Sequence, residues 1–293
     1  MKTSHNLITV FPILCTDPHG IYYLGPKGSF SYEIASRLKG VKIEARTITE
    51  VFERVEASVS EKAVGIVPIE NSIEGPVHET LDNLFIRDGI YVNREIELKV
   101  EIVLAVNKAL RNVRRIQRLY AQHYAYSEAK DKLKEIGIEI EDVIPVESTS
   151  KGAMIASKDP GGAALCSEHA AKIYGLKVLY RNVQSTSNNI TRFFIISKNM
   201  RKVGEKTLVF MTVPHRPGGL YHTLGHFYRH RINLTMIYSR PLKSIPWRYY
   251  FYVEFEGSLS SRKVQKTIEE LKEVTELLKV KGSFVKSRSQ YRA

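Results

Sequence analysis

The stretch Asn188–Asn189–Ile190–Thr191–Arg192–Phe193 sets two amides, a hydroxyl and a guanidinium at the mouth of an apolar run, Phe193–Phe194–Ile195–Ile196. Aromatic and β-branched residues in a short run behind polar ones read as a buried strand. In open α/β sheets, ligands sit at such strand ends. A guanidinium offers a rigid fork of donors that matches a carboxylate. The Thr191 hydroxyl is a neutral donor suited to a departing oxygen. The same residues also suit a plain strand whose Arg192 pairs with an acid of the protein. Six residues alone do not separate the two readings.

Three more clusters of polar residues stand where an apolar run stops or a helix starts. Ile21–Leu24 reads as a strand, Gly25–Pro26–Lys27–Gly28 as a turn, and Ser29 or Phe30 opens a helix through Leu38. A helix start with free N–H groups favours an anion, although Ser29 also suits a simple N-cap. Ala63–Ile69 reads as a buried strand ending at Glu70–Asn71–Ser72. Glu147–Ser148–Thr149–Ser150 sets three hydroxyls at the start of a helix through Ala156, which is either an anion cradle or plain capping.

The elements that must position these groups alternate between β and α. Ile48–Ser58 is an amphipathic helix. Gly75–Pro76 starts a helix with Val77, Leu81, Leu84 and Phe85 inward, and Gly89 closes it. Glu95–Val106 reads as one long strand crossing into a second lobe, Leu110–Ile136 as largely helical, and Val143–Pro145 and Gly161–Cys166 as strands. Ser167–Tyr174 is a helix stopped by Gly175. The chain crosses back near 183–192, so two lobes meet over one cleft. Lys198–Glu205 is a linker. Beyond it Thr207–Val213, the face Leu220, Leu224 and Phe227, Ile232–Tyr238, Trp247–Phe255, the helix face Val264, Ile268, Leu271, Val274 and Leu278, and a short strand at Phe284–Val285 give βαββαβ, a ferredoxin-like unit.

Four segments in order resemble the prephenate dehydratase family: Gly25–Pro26–Lys27–Gly28–Ser29–Phe30–Ser31, Pro68–Ile69–Glu70–Asn71–Ser72–Ile73–Glu74–Gly75, Glu147–Ser148–Thr149–Ser150, and the Asn-x-Thr-Arg-Phe signature at 189–193. The resemblance covers residues 22 to about 285. It implies a two-lobed catalytic domain of the type II periplasmic-binding-protein-like fold at 21–198, with lobe 1 about 21–97 plus 188–198 and lobe 2 about 98–187. It also implies an ACT regulatory domain at 206–285 and a basic tail at 286–293. The implied reaction is the decarboxylating dehydration of prephenate to phenylpyruvate in L-phenylalanine biosynthesis, with no cofactor and no metal. Thr191 would be the catalytic donor. Ser29, Glu70, Asn71, Ser72, Ser148, Thr149, Ser150, Asn189, Arg192 and Phe193 would bind substrate. Pro217–Gly218–Gly219–Leu220, Asn233–Leu234 and Ser239–Arg240 resemble the segments that hold L-phenylalanine as an allosteric effector. Tyr238 replaces the family's glutamate before Ser239, and Ser185 replaces an acid after Gln184; both depart from the pattern. His123 lies where relatives carry Ser-His-Pro and reads as a surface or core histidine. The ACT resemblance further implies a homodimer or homotetramer.

Composition narrows the alternatives. The 293 residues suffice for about two domains, and 43% hydrophobic with 26% charged residues is ordinary for a soluble protein. A net charge of +13 suits either a polyanion or a small anionic substrate. The densest basic cluster, Lys108, Arg111, Arg114, Arg115 and Arg118, reads as a solvated helix face, and no nucleic-acid module accompanies it. The two cysteines, Cys15 and Cys166, have no CxxC neighbour, and the nine histidines show no ligand spacing. No apolar run approaches the roughly 18 residues of a membrane span. Pro12 breaks the apolar stretch from Leu7 to Cys15 and no cleavage site follows, so residues 1–20 read as an unassigned extension and the protein as cytoplasmic.

Overall fold

In a computed structural model, residues 20–287 are described. The expectations for the N-terminal extension and for the tail beyond Ser287, Cys15 included, lie outside them. The order is β1 Gly20–Leu24, α1 Phe30–Ser36, β2 Val41–Ala45, α2 Ile48–Ala57, β3 Val64–Asn71, β4 Gly75–Pro76, α3 His78–Ile86, β5 Tyr91–Lys99, β6 Val103–Val106, β7 Arg115–Ala121, α4 His123–Glu135 and β8 Glu139–Pro145. Then come α5 Thr149–Ala156, β9 Gly162–Cys166, α6 Glu168–Ile173, β10 Lys177–Tyr180, β11 Ile190–Ser197, β12 Lys206–Thr212, α7 Gly219–Arg229, β13 Leu234–Pro241, β14 Tyr249–Glu256, α8 Arg262–Val274 and β15 Leu277–Ser287.

The two lobes repeat one topology. In the first, parallel β2, β1 and β3 are followed by β11, which arrives from the other lobe and pairs antiparallel with β3 and β5. In the second, parallel β8, β7 and β9 are followed by β6, the strand arriving from the first lobe, antiparallel to β9 and β10. This is the two-lobed type II arrangement. In each lobe the parallel strands run into helix N-termini at their carboxyl ends, facing the crevice where ligands bind.

Several local expectations fail for physical reasons. Leu110–Ile136 is not one helix: β7 fills Arg115–Ala121 before α4 begins. Its buried Ile116, Leu119 and Tyr120, beside an exposed Arg115 and a half-buried Arg118, were hidden by a basic cluster that looked helical. Glu95–Val106 is two strands, and β5 continues to Lys99 in the first sheet. Gly75–Pro76 pairs with β3 as β4, and the helix starts later, at His78. Leu278 belongs to β15, which is long and takes in Lys286 and Ser287.

That long strand joins the units. Its first part pairs with β12, and its last residues, Val285–Ser287, pair parallel with Arg94–Ile96 of β5. The βαββαβ unit thereby extends the sheet of the first lobe, in the order β13-β14-β12-β15-β5-β11-β3-β1-β2. One core unites α2 and α3 residues such as Phe52, Leu81 and Leu84 with Phe194 and Ile196 of β11 and with Leu208, Phe210, Tyr250 and Tyr252 of the C-terminal unit. Phe85 stacks on Tyr250 with ring centroids 4.0 Å apart. Asp82 of α3 accepts from Arg240 at 3.0 and 2.7 Å and from Tyr250 at 2.6 Å.

Candidate active site

Strand alternation decides what each residue of β11 faces. Arg192, Phe194 and Ile196 point toward α2, α3 and the C-terminal unit, while Thr191 and Phe193 point to the α1 side. In the neighbouring strand β3, Asn71 pairs with Thr191 and Glu70 with Arg192. One cross-strand pair therefore faces the crevice and the next lies behind the sheet.

The front pair is a hydroxyl held by amides. Asn71 Nδ2 donates to Thr191 Oγ1 at 3.0 Å and to Asn189 Oδ1 at 2.6 Å. Asn71 Oδ1 accepts from the Ile73 and Glu74 N–H groups at 2.9 and 3.0 Å, so the amide cannot turn over without losing both. Asn189 Nδ2 crosses to the second lobe and donates to Tyr124 Oη at 3.0 Å. Thr191 accepts from Asn71, so its own O–H remains available as a donor. Burial, reinforced by Glu128 and Glu74, raises the Tyr124 hydroxyl above its ordinary value and keeps it protonated at neutral pH.

The first helix start closes the crevice from the far side. Ser29 caps α1, accepting from the Tyr32 N–H at 3.1 Å and donating to Leu24 O at 2.7 Å. Ser148 caps α5, accepting from the Lys151 N–H at 3.1 Å. Ser150 reaches across the lobes and donates to Lys27 O at 2.8 Å, and Tyr174 donates to the same carbonyl. Gly28, at φ 90°, makes this approach; an added Cβ would lie 2.8 Å from Ser150 Oγ. Thr149, first residue of α5, stands between the two committed serines.

Four more of the expected substrate contacts are engaged within the protein. Arg192 does not hold its fork toward the crevice. Nη1 donates to Glu70 at 2.7 Å, and Nη2 donates to Glu95 at 2.8 Å and to Glu254 at 2.6 Å. Lys206 completes the cluster, 3.0 Å from Glu95 and 2.8 Å from Glu254. Glu95 and Glu254 are fully buried. Burial alone would lower the Arg192 pKa, but Glu254 and Glu95 outweigh it and hold the group charged. Burial likewise pushes Glu254 up, and Arg192 and Lys206 bring it below the usual carboxylate range. Glu70 belongs to this cluster, behind the sheet. Phe193 is core, packed with Ile21, Tyr23, Ile34 and Leu98. Ser72 staples β3 to the entrance of β11, donating to Asn188 O at 2.9 Å and accepting from the Ile190 N–H at 3.0 Å.

In the C-terminal unit, Arg240 is likewise committed to Asp82, while Ser239 is exposed. Gly218 caps α7 at φ 79°, and a Cβ on Gly219 would meet Pro214 O at 2.3 Å, so this turn requires both glycines. Pro217–Leu220 and Asn233–Leu234 lie at opposite ends of α7. Tyr238 meets His78 of α3 at 3.0 Å. Ser185 and the Thr186 N–H donate to Glu128 at 2.8 and 2.9 Å, anchoring the returning crossover. His123 is the first residue of α4.

Sequence reasoning missed Tyr124, Tyr174, Glu95, Lys206 and Glu254. Two of these carried a signal. Glu254 interrupts Tyr252–Val253–Glu254–Phe255, and Glu95 sits in a buried strand; an acid at such a position needs a cation. Tyr124 was hidden by the misread helix.

A family model described as prephenate dehydratase matches residues 21–201. The bifunctional chorismate mutase/prephenate dehydratase of Aquifex aeolicus is 38% identical over 276 residues, covering 92% of this chain and 74% of that protein. The prephenate dehydratase of Methanocaldococcus jannaschii is 32% identical over 278 residues, covering 90% of this chain and 97% of its own. Among solved structures, prephenate dehydratase in complex with L-Phe from Arthrobacter aurescens matches with a TM-score of 0.80 at 26% identity, covering 94% of this chain and 92% of that one. Sequence match and lobe topology agree over the same residues, and on that ground the chain belongs to the prephenate dehydratase family.

Proposed function

We propose that this chain is a carbon–oxygen lyase that converts prephenate to phenylpyruvate, carbon dioxide and water, with Thr191 as the donor to the departing hydroxyl. The observation that carries the reading is the hydrogen bond from Asn71 to Thr191 Oγ1. It fixes the oxygen as an acceptor and aims its proton elsewhere. As the ring carboxylate leaves as carbon dioxide, its bonding pair enters the ring and the ring hydroxyl departs as hydroxide, which takes a proton from solvent to become water. A threonine is too weak an acid to surrender its proton, so its hydrogen bond stabilises the charge building on that oxygen. The product ring is aromatic, which supplies much of the driving force.

With Arg192 withdrawn, orientation of the dianionic substrate falls to the crevice's helix starts. Thr149 and the first N–H groups of α5 suit one carboxylate. Asn189, which shares the Asn71 amide with Thr191, reaches Tyr124 of the second lobe. Arogenate, which carries an amine where prephenate has a ketone, is the competing substrate, and turnover with each compound compares them.

L-phenylalanine is the proposed effector, through an ACT role of the C-terminal unit. The 11-residue α7 separates Pro217–Leu220 from Asn233–Leu234 by about 16 Å at 1.5 Å per residue. Such a separation suits an amino acid held between two copies, as the family resemblance implies. Among the described residues β13 is an edge strand, which suits self-association. A homodimer or a homotetramer in the cytoplasm fits this reading. Among the described residues no helix is long and apolar enough to cross a membrane. The test is purified protein with prephenate, following phenylpyruvate absorbance with and without L-phenylalanine. Product formation suppressed by L-phenylalanine is expected; no phenylpyruvate from prephenate refutes the reaction.

A further inference from the structure

The cluster behind Thr191 draws its members from both units. Arg192, Glu70 and Glu95 come from the catalytic sheet, Lys206 and Glu254 from the C-terminal unit. Two hydroxyls of the C-terminal unit hold Glu254 further: Thr235 donates to Oε1 at 2.8 Å, and Tyr252 to Oε2 at 3.0 Å. Met236 Sδ lies 3.8 Å from Arg192 Nη1. Arg192 is bonded in the chain to Thr191, and Glu70 to Asn71. Each member of the front pair thus has its neighbour clamped in the rear one. The ladder between β11 and β3 shifts register immediately after Arg192. On its other edge β11 pairs with β5 without a shift from Ile190 to Ile195, so what the rear cluster adds at this lip is the placement of its side chains.

We infer that Glu254 and Lys206 are positioning residues for the Thr191 hydroxyl, acting through the Arg192 guanidinium. The inference rests on the proposed reaction and names how that same site is regulated. A displacement of β12 and β14 against β11 moves Arg192, and with it the lip that carries Thr191. A shift of about 1 Å in a catalytic group is enough to cost about a hundredfold in rate. A ligand that favours one placement of the C-terminal unit then acts on turnover without touching the crevice.

The test compares wild type with Glu254→Gln and Tyr252→Phe in the full chain, by kcat, KM for prephenate and thermal unfolding. Glu254→Gln removes one charge of the cluster; Tyr252→Phe removes one hydrogen bond to Glu254 and keeps the ring. The expected result is a kcat about tenfold lower in Glu254→Gln and two- to threefold lower in Tyr252→Phe, KM within about twofold, and partial recovery in Glu254→Asp. If Glu254→Gln does not fold, Tyr252→Phe decides. An NMR readout does not need turnover: the Asn71 side-chain amide, bonded to Thr191, shifts in both variants. Unchanged kcat in folded variants overturns the inference, as does a raised KM at unchanged kcat or an Asn71 resonance that stays in place. A wild type that leaves prephenate intact refutes the reaction instead, and the Asn71 resonance still decides the coupling.

Discussion

Replacing Arg192 by methionine separates a clamp from a substrate ligand. In the native protein the guanidinium meets Glu70, Glu95 and Glu254, two of them fully buried. Methionine keeps much of the volume and leaves Lys206 as the partner of both buried acids. Removing one partner from a buried ionic group typically destabilises by about 3–5 kcal/mol. At about 2–4 °C per kcal/mol for a chain of this size, the melting temperature should fall by roughly 10 °C. The loss should depend on pH in a defined direction. In the wild type Glu254 is held below its usual range, so its stabilisation is present above the unfolded carboxylate value and fades as pH falls through the lower folded one. In Arg192→Met burial is less opposed and the Glu254 pKa rises. Its cost is then present near neutrality and is relieved on acidification. The gap between the two melting temperatures should therefore narrow between pH 7 and pH 5. Thermal unfolding by circular dichroism at both values, with KM for prephenate measured below the transition, is the assay. A melting temperature within about 2 °C of wild type, with a KM raised about tenfold or more, would show a guanidinium working on substrate and refute the clamp.

Three further outcomes follow from the same structure. Thr191→Ala should lower kcat by roughly a hundred- to a thousand-fold with a cooperative fold, while Thr191→Ser retains most turnover, because Asn71 can still donate to its hydroxyl; near-normal kcat in the alanine variant defeats the donor role. Lys281 is buried against the carbonyls of Arg87 and Ile90, and burial lowers its pKa from 10.5 to about 8. Between these values the unfolded chain binds more protons, so this group should raise stability by about 3 kcal/mol as pH climbs from 8 to 10.5; Lys281→Met, compared by denaturant unfolding, should lack that rise. Burial raises the Asp82 carboxyl, but hydrogen bonds from Arg240, Tyr250 and Lys243 outweigh it and hold it at about 2. Its stabilisation should fade between about pH 4 and pH 2, and acid unfolding of Asp82→Asn should show a flatter profile over that range.

The pattern of apolar runs, glycine turns and hydroxyl-rich helix starts determined the alternating β/α order, the two crossings and the C-terminal βαββαβ unit, because each is a local rule of propensity and period. Ser29 and Ser148 as caps were legible for the same reason, whereas Asn71 and Thr191 were assigned to one cleft only through the family resemblance. The helix read across Arg115–Ala121 failed because Arg115 and Arg118 are three residues apart, the spacing of one helix face, and a short strand carrying them looks helical over a few residues. What Arg192 does was decided by tertiary structure alone. Neighbours on a strand face opposite ways, and whichever surface packs behind β11 supplies the partners of Arg192. That surface proved to be the C-terminal unit, brought there by the long β15 and the core shared with α3. Local sequence names the groups able to bind an anion; only the packed chain shows that this one already holds three carboxylates of its own.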